Sequence, residues 1–177
     1  IAAHHASGMS LVCMAVLSAC SAEMPGPDRL ELATIPRWKE VPRSTPATFV
    51  RTFDTFCVER PARPEARESA LRSAGYVPRP QQAAGAPRVF VVDDLRPAVL
   101  SGARICGVRA VSRTGQTEAV QGYVAKAFPE ARPASPAPLG SDVEQAWQVE
   151  GGMLATTRNH WVGNAATYTL LLYRPDA

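Results

Sequence analysis

The chain is poor in lysine, histidine and cysteine, and each shortage closes off a class of function. Seventeen of its 19 basic residues are arginine, which leaves only Lys39 and Lys126. The net charge of +3 over 177 residues is small and scattered, so the basic stripe expected of a nucleic-acid-binding domain is missing. Only three histidines and four cysteines occur. No Cys-x-x-Cys is present to lower a thiol pKa. A zinc site would need two ligands beyond Cys57 and Cys106, and His160 alone is of the right kind. There is no Gly-x-Ser-x-Gly elbow. Gly151-Gly152 opens no helix, so it offers no fan of N–H groups to a phosphate. No internal repeat of solenoid or propeller period is visible. These absences leave no cofactor, metal or reaction written in the sequence.

What is present begins with the apolar run 11–17, Leu-Val-Cys-Met-Ala-Val-Leu. It is far shorter than the roughly 20 residues needed to span a bilayer. It ends in Ser18-Ala19-Cys20, small residues that leave the peptide bond before Cys20 open to a peptidase. Leu17-Ser18-Ala19-Cys20 resembles the lipobox of bacterial lipoprotein precursors, although no Lys or Arg precedes Arg29. The resemblance implies a signal peptide over 1–19 and acylation of Cys20 by palmitate-class chains. Ser21 rather than Asp after the cysteine resembles the outer-membrane sorting pattern of Gram-negative lipoproteins. The expected location is therefore the cell envelope, on the outer membrane and facing the periplasm. The membrane, through Cys20, and a further envelope protein are the expected partners. Several acyl chains, at about 0.8 kcal/mol per buried CH₂, make such an anchor stable.

Residues 20–45 carry Pro25, Pro27, Pro36 and Pro42 among mixed charges and read as a tether. At about 3.1 Å per extended residue it would reach roughly 80 Å. Leu30, Leu32, Ile35 and Trp38 make it apolar enough to lie along the domain, as an edge strand. Residues 46–177 read as one α+β domain.

The first helix of that domain opens at Ser44-Thr45-Pro46, a hydroxyl cap followed by proline at the first helical position. Phe49, Val50, Phe53, Phe56 and Cys57 follow at helical spacing on one face. A second helix is predicted over 65–74, with Ala66, Ala70, Leu71 and Ala74 inward and Gly75 as a left-handed cap. Arg60, Arg63, Arg67 and Arg72 then form an exposed basic surface, a solvated face by default.

From Tyr76 the period changes. Strands are predicted over 88–92, 98–100, 104–112, 145–150, 153–158 and 166–173. In 104–112 the alternation puts Cys106, Val108 and Ala110 on one face and Ile105, Arg109 and Val111 on the other. Asp93-Asp94 reads as a strand-ending turn rather than a cation site, because adjacent strand residues point to opposite faces. A third helix runs from a Thr117 cap to Phe128, with Val120, Tyr123, Val124, Ala127 and Phe128 inward. Gly151-Gly152 reads as the tight turn of a hairpin. The proline-rich 129–141 reads as a mobile loop. The expected fold is thus α+β: an antiparallel sheet of five to six strands with two or three helices packed on one face.

Two thiols remain if the leader is removed and Cys20 is acylated, Cys57 and Cys106 on inward faces. In an oxidising compartment they pair as a disulfide. His160 is the histidine of the domain, and as a general base it would need orienting by Asp93, Asp94 or Asp142. The reading as an exposed loop histidine outweighs that one, since no nucleophile motif accompanies it. The domain therefore reads first as a non-enzymatic interaction module. The alternative is small-molecule binding in a pocket between sheet and helices near Tyr123, Trp147, Trp161 and Tyr168. An envelope hydrolase using His160 comes third.

Overall fold

The structure is a computed structural model that describes residues 42–59, 63–81, 83–160 and 166–175, with His160 by its backbone alone. The expected signal peptide, Cys20 and nearly all of the tether lie outside the described residues, as do Arg60 and Trp161. Thr45 caps the first helix, its hydroxyl accepting from the Thr48 N–H at 3.2 Å, and Pro46 fills the first helical position. Helix α1 (Pro46–Phe53) then widens into a π-helical turn, Asp54–Val58, where the Glu59 N–H donates to the Asp54 carbonyl. Phe49, Phe53, Phe56 and Cys57 are all buried along this stretch.

Helix α2 (Pro64–Ser73) ends on Gly75 at φ 85°, with the Gly75 and Tyr76 N–H groups closing onto Arg72 and Leu71. Its inward face differs from the alanine stripe expected. Ala66 and Ala74 are exposed, whereas Arg67 is buried. The Arg67 guanidinium donates to the Ser101 hydroxyl at 3.1 Å and the Gly102 carbonyl at 2.7 Å. These groups surround the turn between Ser101 and Ile105, so the arginine holds α2 to that hairpin. Arg63 and Arg72 remain exposed.

The strands are β1 (Val77–Pro78), β2 (Arg88–Val91), β3 (Ala98–Ser101), β4 (Ile105–Val111), β5 (Arg132–Ala134), β6 (Val143–Val149), β7 (Gly152–His160) and β8 (Ala166–Tyr173). They form one antiparallel sheet in the order β1-β2-β3-β4-β8-β7-β6-β5. The α+β class is as expected, but the sheet has eight strands rather than five or six. The six strands read from the sequence are β2, β3, β4, β6, β7 and β8. The two extra ones are short, proline-bearing and at the sheet margins. Pro133 lies in β5, inside the stretch 129–141 expected as a loop. On an edge strand its missing N–H costs no ladder bond, so proline does not end the pairing there.

Helix α3 (Gln116–Ala127) lies on the same face as α1 and α2. Its cap is Gly115 at φ 83°, not Thr117, and the Gln116 side chain accepts from the Arg113 N–H instead. Ala127, expected inward, is exposed. The core between helices and sheet unites Phe49, Phe53, Leu71 and Val120 with Phe90, Val108, Leu154, Tyr168 and Leu170. On the opposite face Val91, Leu100 and Thr169 are buried as well. This explains why β2 and β3 read as continuous apolar runs rather than alternations.

Cys57 and Cys106 are joined by a disulfide, with Cα atoms 5.4 Å apart, which staples the π-helical turn to β4. Beside it is a void of about 10 Å³, room for roughly one water. In the β6–β7 hairpin Val149 faces Gly152 across the ladder, so the turn residues are Glu150 and Gly151. Gly151 takes φ 67°, while Gly152 sits within the strand under the Tyr173 carbonyl. Asp93 forms the expected turn, accepting from the Leu95 and Arg96 N–H groups.

Three stability outcomes are expected, each measured by urea unfolding. Arg67→Met should cost about 3 kcal/mol, because it strands the polar groups of the β3–β4 turn that it now satisfies. Replacing both Cys57 and Cys106 by alanine should cost about 4 kcal/mol on the chain-entropy account of a 49-residue separation. Gly152→Ala should cost about 1–3 kcal/mol, since a Cβ there meets the β8 backbone.

Candidate functional site

Strand β6 carries the local irregularity on which the site is built. Val143 pairs with Thr157, but Gln145, not Glu144, comes opposite Thr156. Glu144 is therefore the extra residue of a β-bulge. Thr156 shares the helix-facing side with Leu154, and through Leu170 with Val108. In a regular strand Glu144 and Gln145 would point to opposite faces. The bulge instead brings both to the helix-facing side, where Glu144 meets Arg158 and both line one cleft.

Arg158, on β7, is the hub of this region. Its guanidinium forms an ion pair with Glu144 and donates to the Ser112 and Thr117 hydroxyls, the latter at 3.2 Å. It also lies 4.8 Å from the centre of the Tyr168 ring, directly across the β7–β8 ladder. One side chain thus joins β6, β7, β8, the end of β4 and the start of α3. Sequence reading placed Arg158 only at the end of a predicted strand. The missed signal was its phase, two residues from Thr156 and four from Leu154, which puts an arginine on the inward face.

Beside this hub Gln145 Oε1 is buried and makes no hydrogen bond among the described residues. Thr156 and Tyr168 are both fully buried. Burial pushes the Tyr168 phenol above its ordinary pKa, and hydrogen bonding with the Thr156 and Thr117 hydroxyls offsets part of that rise. Tyr168 is therefore a neutral phenol at pH 7. An unsatisfied buried polar group costs about 1–3 kcal/mol.

An open cleft of about 460 Å³ adjoins Gln145 at the β5–β6 edge. Gln121, Pro133, Pro136, Glu144, Gln145 and Trp147 line it, with Ala134 and Ala146. Pro133 and Trp147 are opposite each other on the ladder, which sets a pyrrolidine ring beside an indole.

Of the expected pocket residues, Trp147 lines this cleft and Tyr168 is buried under the Arg158 guanidinium. Tyr123 packs edge-on against Phe53 and Phe128 and donates to Asp54 at 2.6 Å. Burial and the Asp54 carboxylate raise its pKa. Tyr123 is thus packed among core aromatics, and the cleft that Trp147 lines lies at the sheet edge. His160 ends β7 opposite Ala166. Asp93, cast as one of its orienting partners, is engaged in its own turn and in an ion pair with Arg96. Among the described residues no group of three His, Cys, Asp or Glu could hold a metal ion. Nor is any helix among them long and apolar enough to cross a membrane. Comparison with protein-family models, with curated proteins and with solved structures found no match.

If Arg158 organises this region, Arg158→Ala and Glu144→Ala should each destabilise the domain. Their double-mutant cycle should return a coupling of about 1 kcal/mol, a pair energy raised above a surface bridge by partial burial.

Proposed function

We propose that this chain is a lipid-anchored protein of the bacterial cell envelope, held in the outer membrane at Cys20 and facing the periplasm. Its domain works by contact and binding rather than by catalysis. The observation that carries this reading is the buried Cys57–Cys106 disulfide. A bond of this kind persists where the surroundings are oxidising, and the lipobox at residues 17–20 leads to such a compartment. The two features are independent, one a leader pattern and the other a tertiary pairing. In favour of a binding role, three polar groups among the described residues are committed to structure. Arg158 is held by Glu144, Tyr123 by Asp54, and Tyr168 is kept protonated by burial.

A second reading, binding of a small molecule, is favoured by the open cleft of about 460 Å³ lined by Gln121, Gln145, Pro133 and Trp147. The hydrolase reading rests on His160 alone.

Expression of the full-length protein in a Gram-negative host tests the first reading by intact mass. The expected mass starts at an acylated Cys20, with no alkylation of Cys57 or Cys106 until reduction. An unprocessed chain whose two domain thiols alkylate directly would remove both the anchor and the compartment.

A further inference from the structure

The face of the sheet opposite the three helices is floored by an apolar row. Val89, Leu100, Gly107, Leu171, Ala155 and Ala146 are successive ladder partners in sheet order from β2 to β6, so they share that face. The row carries no charge, and its small residues leave a shallow trough. Leu100 is 4% exposed, and Val91 and Thr169 near it are 0% and 2% exposed. Side chains stand out from a bare sheet face into solvent, so burial this deep means that the face is covered.

Two observations point to the occupant. The first is the route of the chain. The Val111 N–H donates to the Pro42 carbonyl at 2.8 Å, and the Arg43 N–H donates to the Asp94 carbonyl. Strand β3 already occupies that flank of β4 where Ala98 pairs with Arg109, and α1 takes the helix side from Pro46. The chain preceding Pro42 is thus fed toward the opposite face. The second observation is charge. Arg109 stands on this face two residues along β4 from Gly107, and its guanidinium donates to the Thr169 hydroxyl at 3.3 Å. No carboxylate pairs with it among the described residues. Arg79 adds a second positive charge nearby, its pKa lowered by burial and by Arg109.

We propose that residues 35–41 of this chain lie across this face, with Ile35, Trp38 and Val41 in the trough and the Glu40 carboxylate paired with Arg109. Ile35, Trp38 and Val41 recur every three residues beside Pro36 and Pro42, the period of a polyproline II helix, which sets them on one side. Six residues at about 3.1 Å span roughly 19 Å, the width of about four strand spacings. Glu40 precedes Pro42 by two residues, as Arg109 precedes Val111, so the two charges start within reach. The placement does not depend on the lipid anchor. With the anchor, it leaves residues 20–34 as tether, roughly 45 Å when extended, and keeps the domain closer to the membrane.

Trypsin proteolysis of the full chain tests this, because Arg29, Arg37 and Lys39 place cleavage sites before and within the segment. Each rate is divided by that of the same bond in a synthetic peptide of matching sequence over residues 26–45. Docking predicts that the Arg37–Trp38 bond is cut about 10-fold more slowly than the Arg29–Leu30 bond, since cleavage draws on the undocked population. Glu40→Gln and Arg109→Gln should each speed cleavage at Arg37 about 3–10-fold, and the double variant should be no faster than the faster single one. Glu40→Gln lies outside the described residues, so it decides the matter if Arg109→Gln fails to fold. Equal normalised rates at Arg37 and Arg29 would overturn the docking. Protection at Arg37 that neither substitution changes would overturn the seat at Arg109. Protection that disappears on dilution, as a dimer dissociates, would assign the face to a second copy and overturn the proposal.

Discussion

The helical layer is pinned to the sheet at one corner, and the rest of the domain is hung from it. Cys57 on the π-helical turn is bonded to Cys106 on β4, and Arg67 on α2 satisfies the β3–β4 turn a few residues away. These two links join segments about 35 to 49 residues apart, which the chain could otherwise bring together only at a large entropic cost. Burying an arginine is unfavourable unless its donors are met, and desolvation does lower the Arg67 pKa. The carbonyls and the hydroxyl of the hairpin meet those donors. With this corner held, Phe49, Phe53 and Leu71 cover β4 and its neighbours, and α3 closes the remainder of the same face.

The far half of the sheet is organised differently. There a polar arginine, Arg158, replaces the disulfide as the joining element, and its geometry depends on the bulge at Glu144. A regular β6 would turn either Glu144 or Gln145 away. The bulge sacrifices one rung of the ladder and in return sets a carboxylate under the arginine and an amide beside an open cleft. An ion pair and a cleft wall thus draw on adjacent residues of one strand. The cleft floor inherits its rigidity from the β6–β7–β8 ladder beneath it.

Much of the domain was legible from residue patterns. The cap at Thr45-Pro46, the closing Gly75, the alternation that put Cys106 and Arg109 on opposite faces, and six strands all follow from local chemistry. The departures have physical causes of the same scale. Proline signals a break in a central strand, yet on the margin Pro133 pairs as β5. Thr117 has the composition of a cap, but Arg158 claims its hydroxyl and Gly115 supplies the turn. Arg67 carries the charge of a surface residue, and only the hairpin beneath it provides the acceptors that let it be buried. The cleft was legible in Trp147 alone.

The sequence by itself determined the three helices, six of the eight strands and the inward positions of the two cysteines that pair. These depend on short-range chemistry: apolar run length, capping and periodicity. Tertiary structure alone decided that Arg158 is a hub, that Glu144 and Gln145 share a face, and that a cleft opens at the β5–β6 edge. The reason is that register is a relation between strands. Whether residue 144 bulges depends on what β7 offers across the ladder, and no single stretch of the chain contains that information.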